Sequence, residues 1–248
     1  MDRRQVFYEE NTRTLEVSVY HHDGRTQNES RMLLKEYVLD LTVNDKPWKK
    51  IVCTKQYLEE LITGRLYTEG LISGVDDLIG KEIDADKGEG RVRLKNGAGS
   101  DREGMADNDP CRDLPGSKTI PATGFRPEWI FSLAALFSED AELHRMTGGT
   151  HICFLAREGE MLFSCEDISR HNALDKAVGH GLIAGESLSD CMLYTSGRVQ
   201  ADTMKKVILA GIPILISKSV PTAEAAAMAG EYGITLISKA YRDSFEVW

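Results

Sequence analysis

Two segments in the second half of the chain place hydroxyl groups and a basic side chain where a predicted strand gives way to a predicted helix. Residues 194–198 (YTSGR) and 217–222 (SKSVPT) share this pattern. Backbone N–H groups at the start of a helix, together with hydroxyls and a cationic side chain, can bind a phosphate. Taken singly, each segment is also typical of a capped helix behind a polar turn. The candidate ligand-binding residues of the two segments are Ser196, Gly197, Arg198, Ser217, Lys218, Ser219 and Thr222.

Two further segments add candidates for the same site. Residues 166–172 (EDISRHN) hold six polar side chains in seven positions, and residues 147–151 (TGGTH) place a glycine pair before a strand. Glycine lets a backbone approach a ligand closely, although a tight turn explains the pair equally well. His171 and Asp175 would share a helix face, which either orients the imidazole or forms a surface pair. The candidates are Thr147, Gly148, Gly149, His151, Arg170, His171 and Asn172.

Cysteine usage suggests one reactive thiol. The five cysteines are scattered and form no Cys-x-x-Cys pair, which indicates thiols of a reducing cytoplasm rather than a disulfide framework. Cys111 lies in a polar segment between Pro110 and Arg112, where a neighbouring cation favours the thiolate. We expect it to be either a nucleophile or an exposed thiol without a role. The other four follow or occupy apolar runs and are expected to be structural: Cys53, Cys153, Cys165 and Cys191.

The sequence argues against a zinc hydrolase. A zinc deaminase requires the patterns H-x-E and P-C-x-x-C, which supply the ligands and the proton shuttle. Residues 110–114 (PCRDL) contain only half of the second pattern, and none of the six histidines begins the first. We therefore expect no metal ligands.

The second half of the chain alternates predicted helices and strands. This order is typical of crossover connections in a largely parallel sheet with helices on both faces. Ligands of such sheets bind at the carboxyl ends of the strands, where the segments above fall. The predicted elements are a helix at 127–137, strands at 151–156 and 161–165, a helix from Arg170 capped by Ser169, a strand at 191–195, a helix from Val199, a strand at 212–217, a helix after Pro221 and a strand at 234–238.

The first half reads as strands with one helix. Strands are predicted at 35–43, 77–84 and 91–95, and a helix is predicted to follow Thr54 as its N-cap. From residue 96 to about 121 the apolar pattern stops, and a loop of this length is usually functional or disordered. We expect a strand-rich N-terminal domain over 1–120, ending in the loop with Cys111, and an α/β domain over 121–248.

Charge and hydropathy limit the partners. With 30 basic and 39 acidic residues the formal net charge is −9, which disfavours binding to the phosphates of long nucleic acids. No apolar run is long enough for a signal sequence or a membrane span. We expect a cytoplasmic protein that binds neither nucleic acid nor membranes.

Several motifs resemble those of the formate dehydrogenase accessory (FdhD/NarQ) family, in order and spacing. They are LYTEGLI at 66–72, TGGTH at 147–151, EDISRHNALDK at 166–176, TSGR at 195–198 and SVPT at 219–222. The likeness extends from about Leu33 to the C-terminus, and the motif at 166–176 is highly specific. The resemblance implies a sulfur carrier that receives a persulfide from a cysteine desulfurase. It would pass the sulfur to the molybdenum cofactor, as bis-molybdopterin guanine dinucleotide, for formate dehydrogenase.

The resemblance also implies a fold and roles for the candidate residues. The expected assembly is a homodimer. The C-terminal part of each chain is expected to be a three-layer αβα, cytidine-deaminase-like core without zinc. Residues 196–198 and 217–222 would meet the pyrophosphates, while 147–151 and 170–172 would meet the guanine base and ribose. Cys111 would carry the persulfide.

The chain departs from the family pattern at two positions. Leu114 stands where the family loop usually has the second cysteine of a Cys-x-x-Cys pair, and Ser169 stands where glycine is usual. One thiol suffices to hold a persulfide, but it has no neighbouring thiol to resolve it. Two hypotheses follow: a sulfur carrier with Cys111 as its reactive thiol, or a cofactor-binding chaperone that transfers no sulfur.

Overall fold

A computed structural model describes residues 8–95, 114, 120, 121, 123–137 and 141–248. The first of these ranges contains two antiparallel strands that form a separate hairpin, followed by four strands and one long helix. The hairpin consists of β1 (Thr12–Tyr20) and β2 (Thr26–Leu34). The remaining elements are β3 (Tyr37–Val43), β4 (Lys46–Cys53), α1 (Leu58–Thr68), a 3-10 turn (Val75–Asp77), β5 (Leu78–Asp84) and β6 (Glu89–Leu94).

The region from residue 123 onward contains five helices and six strands within its described ranges. They are α2 (Pro127–Phe137), α3 (Glu142–Thr147), β7 (His151–Arg157), β8 (Glu160–Asp167), α4 (Arg170–Ile183), β9 (Met192–Thr195), α5 (Ala201–Ala210), β10 (Ile214–Ser217), α6 (Ala223–Tyr232), β11 (Thr235–Ser238) and β12 (Glu246–Val247). A 3-10 turn at Leu188–Asp190 precedes β9.

The six strands form one sheet of mixed direction, in the order β12-β11-β10-β9-β7-β8. β9, β10 and β11 are parallel and are joined by α5 and α6, as the sequence predicts for crossover connections. The prediction of a largely parallel sheet is too broad, because β7 runs antiparallel to both β8 and β9, and β12 to β11. A hairpin turn at Glu158 and Gly159, both with positive φ, reverses the chain between β7 and β8.

Alternating side chains of the sheet fill two cores. On one face Leu155, Leu193 and Leu215 pack against α4, α5 and α6. On the other face Phe154 and Tyr194 pack against α2. Period-two alternation within buried strands produces this division. The sheet is therefore the middle layer of a helix–sheet–helix sandwich.

A smaller α/β unit precedes the sandwich. Its sheet has the order β4-β3-β6-β5, and α1 covers one face through Leu61, Ile62 and Leu66. The opposite side of α1 packs closely on α4, where Gly64 and Gly179 face each other. A Cβ at Gly64 would lie 1.8 Å from the carbonyl oxygen of Asp175. Only glycine permits two helix backbones to approach this closely.

The structure corrects the predicted helix start at Thr54. α1 begins at Leu58, after Tyr57, whose φ is 51°. The Thr54 hydroxyl instead donates to the carbonyl oxygen of Glu166 in the larger unit, 3.1 Å away. Elements absent from the prediction are β1, β2, β4, α3 and β12. In the part of the chain that the structure describes, no helix is long and apolar enough to cross a membrane.

Candidate functional site

The candidate site is the edge of the six-stranded sheet where β8, β9 and β10 end. β8 ends at Asp167, β9 at Thr195 and β10 at Ser217, and the antiparallel β7 begins at the same edge with His151. The predicted segments at 166–172, 194–198 and 217–222 therefore lie side by side. The carboxyl edge of a parallel sheet is where α/β proteins bind their ligands.

His151 and Ser196 form a hydrogen-bonded pair between neighbouring strands. The Ser196 Oγ accepts the backbone N–H of Ile152 at 3.1 Å and lies 3.1 Å from Nδ1 of His151. When the hydroxyl donates to Nδ1, the proton of the neutral ring is on Nε2. Burial lowers the pKa of His151, and the nearby Arg170 lowers it further. The environment of His151 therefore favours the neutral ring.

Arg170 and His171 open α4 and lean on the β9–α5 connection. A Cβ at Gly197 would lie 2.8 Å from Cβ of Arg170, so this turn needs glycine to accommodate the arginine. Arg170 also donates to the side-chain oxygen of Gln200. Nε2 of His171 lies 3.0 Å from Oδ2 of Asp202, and the hydrogen bond from His171 lowers the pKa of that carboxyl to about 2. His171 is thus oriented by Asp202.

The β10–α6 turn is held by its own hydroxyls. The fully buried Ser217 donates to the carbonyl oxygen of Gly197 at 2.8 Å and accepts the N–H of Ser219 at 2.9 Å. Thr222 caps α6 by accepting the N–H of Ala225. Arg198 and Lys218 are exposed at the same edge. These two cations are the groups best placed to meet a bound anion, while Ser217 and Thr222 shape the turn.

The segment at 147–151 acts mainly as a helix end. Gly148 is the C-cap of α3 with φ of 67°, and the Thr147 hydroxyl donates to the carbonyl oxygen of Leu143. A Cβ at Gly149 would lie 2.9 Å from Cδ1 of Leu34, so the close approach is to the hairpin base. The turn explanation accounts for both glycines, whereas His151 faces the edge.

Glu166 is a structural residue that the sequence did not single out for this role. Its buried carboxylate accepts the backbone N–H groups of Leu143 and His144, each at 2.8 Å, and the Thr150 hydroxyl at 2.6 Å. The negative charge lies at the N-terminal end of α3, where free N–H groups favour it. Glu166 therefore holds the N-terminal end of this six-residue helix, although it lies more than 20 residues further along the chain.

Asn172 faces the smaller unit. Its Nδ2 donates to the carbonyl oxygen of Val52 at 2.7 Å and to Asp167 at 2.8 Å, and its Oδ1 accepts a hydrogen bond from Arg65 at 2.7 Å. All its polar atoms are thus engaged between the two units. The structure brings Arg170 and His171 to the edge but places Asn172 behind it.

Buried ion pairs lie at the contact between the two units, and the pair of Arg65 with Asp175 crosses it. Asp167 and Lys176 are fully buried with 2.5 Å between Oδ2 and Nζ, and Asp175 pairs with Lys206 at 2.7 Å and with Arg65 at 2.5 Å. Burial opposes ionisation of Asp175, but Arg65 and Lys206 outweigh it and lower the pKa of this carboxyl. His171 and Asp175 therefore do not form the expected pair. A charged residue on the apolar face of a predicted helix is the signal that could have identified Arg65 and Lys206.

Four of the five cysteines are buried: Cys53, Cys153, Cys165 and Cys191. Burial raises the pKa of Cys53 and of Cys165 to about 12. Thiols of this kind are poor nucleophiles at neutral pH. Cys111 lies outside the described residues, while Leu114 packs, partly buried, against the core formed by α4, α5 and α6.

Metal ligands do not converge in the described ranges. Among residues 8–95 and 141–248 and the shorter described stretches between them, no three His, Cys, Asp or Glu side chains are grouped so as to hold a metal ion.

Comparisons with known proteins agree with the motifs. A model of the FdhD/NarQ family matches residues 34–248. The chain is 32% identical over 246 residues to the "Sulfur carrier protein FdhD" of Geobacillus kaustophilus, covering 92% of each chain. It is 30% identical over 250 residues to the protein of that name from Bacillus subtilis, covering 96% of this chain and 95% of the relative.

A solved structure shares the fold. It is a crystal structure described as a formate dehydrogenase accessory protein from Desulfotalea psychrophila, with a TM-score of 0.78, 22% identity and 96% of both chains covered. Because the family model matches most of the chain, the chain belongs to the FdhD/NarQ family.

Proposed function

We propose that this chain is a sulfur carrier in the maturation of formate dehydrogenase. Relatives that align over nearly the whole chain are named sulfur carrier proteins. A cysteine desulfurase would supply the sulfur as a persulfide, and bis-molybdopterin guanine dinucleotide would receive it. In the first step the Cys111 thiolate attacks the outer sulfur of the donor persulfide. One S–S bond breaks and one forms, and the donor leaves as a thiolate, so the exchange is redox-neutral.

The observation that carries this proposal is the state of the thiols. Four of the five cysteines are buried, and burial raises the pKa of each of them. Sulfur exchange requires an accessible thiolate, which these four do not offer. Cys111 is the remaining thiol of the chain.

The edge of the six-stranded sheet suits the guanine nucleotide part of the acceptor. Arg198 and Lys218 are exposed beside the starts of α5 and α6, where charge and backbone N–H groups favour a pyrophosphate. With its proton on Nε2, His151 would add a neutral N–H donor of the kind that a carbonyl oxygen on a base accepts. These residues would bind and orient the nucleotide. The thiol would supply the transferred sulfur.

Three finer expectations belong to the same proposal. We expect the chain to act in the cytoplasm as a homodimer, and its helix–sheet–helix sandwich to be of the cytidine-deaminase type. Zinc would take no part in the exchange of sulfur between thiols. The layered core and the crossover strands are compatible with this fold assignment.

Sulfur loading tests the proposal directly. The purified chain is incubated with a cysteine desulfurase and cysteine, and mass spectrometry maps any added sulfur. We expect one sulfur on Cys111 and loss of formate dehydrogenase activation in Cys111→Ala. The matched control is Cys153→Ala, which removes a fully buried thiol and should load normally. Normal activation by Cys111→Ala would overturn the proposal.

A second candidate function is a chaperone that holds the cofactor and transfers no sulfur. Leu114 favours it, because the position that usually supplies the second thiol is occupied by a side chain packed on the core. This alternative requires nucleotide binding but no reactive thiol.

Titration of GDP, combined with the activation assay, separates the two functions. Both predict that Arg198→Ala abolishes GDP binding, while Arg93→Ala, on the exposed face of the smaller sheet, leaves it unchanged. Only the chaperone predicts that Cys111→Ala activates formate dehydrogenase normally. Loss of activation with intact GDP binding in Cys111→Ala excludes the chaperone.

A further inference from the structure

Two matched triads of threonine, aspartate and lysine bridge the smaller unit and the sandwich. In each triad the smaller unit supplies the threonine, and its hydroxyl contacts both the carboxylate and the ammonium group. The first triad is Thr54, Asp167 and Lys176, and the second is Thr68, Asp175 and Lys206. All six residues are at most 8% exposed. The triads thus have the same three residue types and similar burial, and they differ in that Asp175 also pairs with Arg65.

Only the first triad reaches the ligand edge. Oδ2 of Asp167 faces Lys176, whereas Oδ1 accepts the backbone N–H of Ser169 at 3.1 Å and the side-chain amide of Asn172 at 2.8 Å. These two bonds close the turn between β8 and α4. Ser169 holds the N-cap position of α4 without a capping hydrogen bond from its own hydroxyl, so Asp167 supplies the restraint.

The turn held by Asp167 presents the residues that face the ligand. Arg170 follows Ser169 directly and packs on Gly197, and His171 comes next and pairs with Asp202. A displacement of the Ser169 backbone therefore moves both side chains. The second triad lies one helical turn or more further along α4 and α5 and makes no direct bond to this turn. It is linked to the turn only indirectly, through Arg65, which bonds both Asp175 and Asn172.

Removing Lys176 would leave Asp167 as an uncompensated buried carboxylate. Such a group either binds a proton or moves toward water. A protonated carboxyl accepts a weaker hydrogen bond from an N–H group than a carboxylate does, and a rotated one accepts none. Both responses loosen the turn at Ser169.

We infer that Lys176 is a positioning residue of the nucleotide site, acting through Asp167 on the turn that presents Arg170 and His171. The inference rests on the proposed function for the identity of the ligand. Lys176 itself lies fully buried between the units, behind the edge where the ligand would bind. Lys206, its counterpart in the second triad, stabilises the contact between the units and does not position the site.

The test compares the two triads. GDP is titrated into wild type, Lys176→Met and Lys206→Met at a temperature below the unfolding transition of each. Both variants should lose stability, because each leaves a buried carboxylate short of a partner. We expect the GDP dissociation constant to rise about tenfold in Lys176→Met, as for one weakened charge-assisted hydrogen bond, and to change less than about twofold in Lys206→Met. Equal losses in both variants would overturn the inference.

A milder pair of variants covers the case in which either lysine variant fails to fold. Thr54→Val and Thr68→Val each remove one buried hydroxyl with little change of shape. We expect weaker GDP binding in Thr54→Val alone. Unchanged GDP binding in Thr54→Val contradicts the inference.

Histidine NMR of the ligand-free chain keeps this inference separate from the proposed function. The ring signals of His171 should shift in Lys176→Met and Thr54→Val and stay in place in Thr68→Val, because only the first triad holds the turn. If wild type binds no GDP, the proposed function fails, and the NMR comparison still decides whether Lys176 positions the turn. Unmoved His171 signals in Lys176→Met would refute it.

Discussion

At the scale of single residues, hydrogen bonds decide which candidates remain available to a ligand. Three candidates use their polar groups in hydrogen bonds to the protein's own backbone or side chains: Ser217, Thr222 and Asn172. Arg198 and Lys218 remain exposed. The residue types and their spacing place the candidate segments at one edge of the sheet. They did not predict which side chains shape it, because that depends on partners from other segments.

His151 gives a pH dependence whose sign follows from its environment. Its pKa is lowered in the folded chain, so below pH 6.5 the unfolded chain binds a proton that the folded chain does not. Stability is therefore unaffected above that pH and decreases as the pH falls toward the folded pKa. We expect this loss to be at most about 1 kcal/mol in wild type, because solvent partly screens the half-buried ring. It should be absent in His151→Gln.

Urea unfolding at pH 7.5 and pH 5 measures this effect. The drop in the free energy of unfolding between the two pH values should be smaller in His151→Gln than in wild type. The exposed His22 provides the control, since His22→Gln should leave the drop unchanged. An identical drop in wild type and His151→Gln would show that the ring is not kept neutral.

Leu114 determines how the proposed carrier releases sulfur. In the proposed carrier the four buried thiols are not available to attack a Cys111 persulfide, so we expect sulfide release to require an added thiol. In Leu114→Cys the introduced thiolate can attack the inner sulfur of the persulfide, forming an internal disulfide and releasing hydrogen sulfide. We expect the loaded variant, but not loaded wild type, to release sulfide without dithiothreitol. A colorimetric sulfide assay measures this release.

The control for Leu114→Cys is a cysteine at another apolar position on the same core. Leu162 is also partly buried there, and Leu162→Cys lacks the short spacing to Cys111. It should release no sulfide without added thiol. Release from unmodified chain without a reductant would mean that another thiol resolves the persulfide.

At the scale of elements, the pair α1 and α4 shows what local sequence specifies and what it does not. α2 begins at Pro127 as predicted, because proline at the first helical position is a local signal. α3 was missed, because the group that caps it is Glu166, which lies beyond β7. The contact of α1 with α4 depends on Gly64 and Gly179, which in sequence look like ordinary helix-weakening residues.

Replacing either contact glycine should separate the two helices. A Cβ at Gly179 would lie 1.9 Å from the carbonyl oxygen of Glu60, so neither Gly179→Ala nor Gly64→Ala can fit without moving a helix backbone. We expect a loss of about 3 kcal/mol or more in the free energy of unfolding, at the upper end for overpacking. Thermal and urea unfolding followed by circular dichroism measure it.

Gly230 supplies the opposite expectation. It lies in α6, and a Cβ there would meet nothing within 4 Å. Gly230→Ala should stabilise the chain by about 0.5–1 kcal/mol, because alanine loses less conformational freedom in a helix. If Gly230→Ala and Gly64→Ala changed the free energy of unfolding equally, close helix packing could not explain the effect at Gly64.

At the scale of the whole molecule, the specific motif at 166–176 serves mostly to join the two units. Asp167, Asn172, Asp175 and Lys176 all bond across or along the contact between the sandwich and the smaller unit. The sequence predicted the helix that carries them but not the partners, because Thr54, Arg65 and Thr68 are more than 100 residues away. Such long-range pairs leave no periodic signal in either segment.

The buried pairs should make the two units unfold together, and Asp175 tests this. Asp175→Asn would remove the buried carboxylate that pairs with Lys206 and leave Arg65 paired with Glu69 alone, at a cost of about 3–5 kcal/mol. We expect calorimetry to show one transition for wild type and two for the variant, as the smaller unit detaches first.

Because the pKa of Asp175 is lowered, its contribution to the free energy of unfolding in wild type persists above about pH 4 and is lost as the pH falls further. Asp84→Asn, at an exposed pair with Lys87, should leave the free energy of unfolding nearly unchanged, because solvent screens such a pair. A single transition in Asp175→Asn would show that the apolar and backbone contacts of α1 with α4 suffice to couple the units.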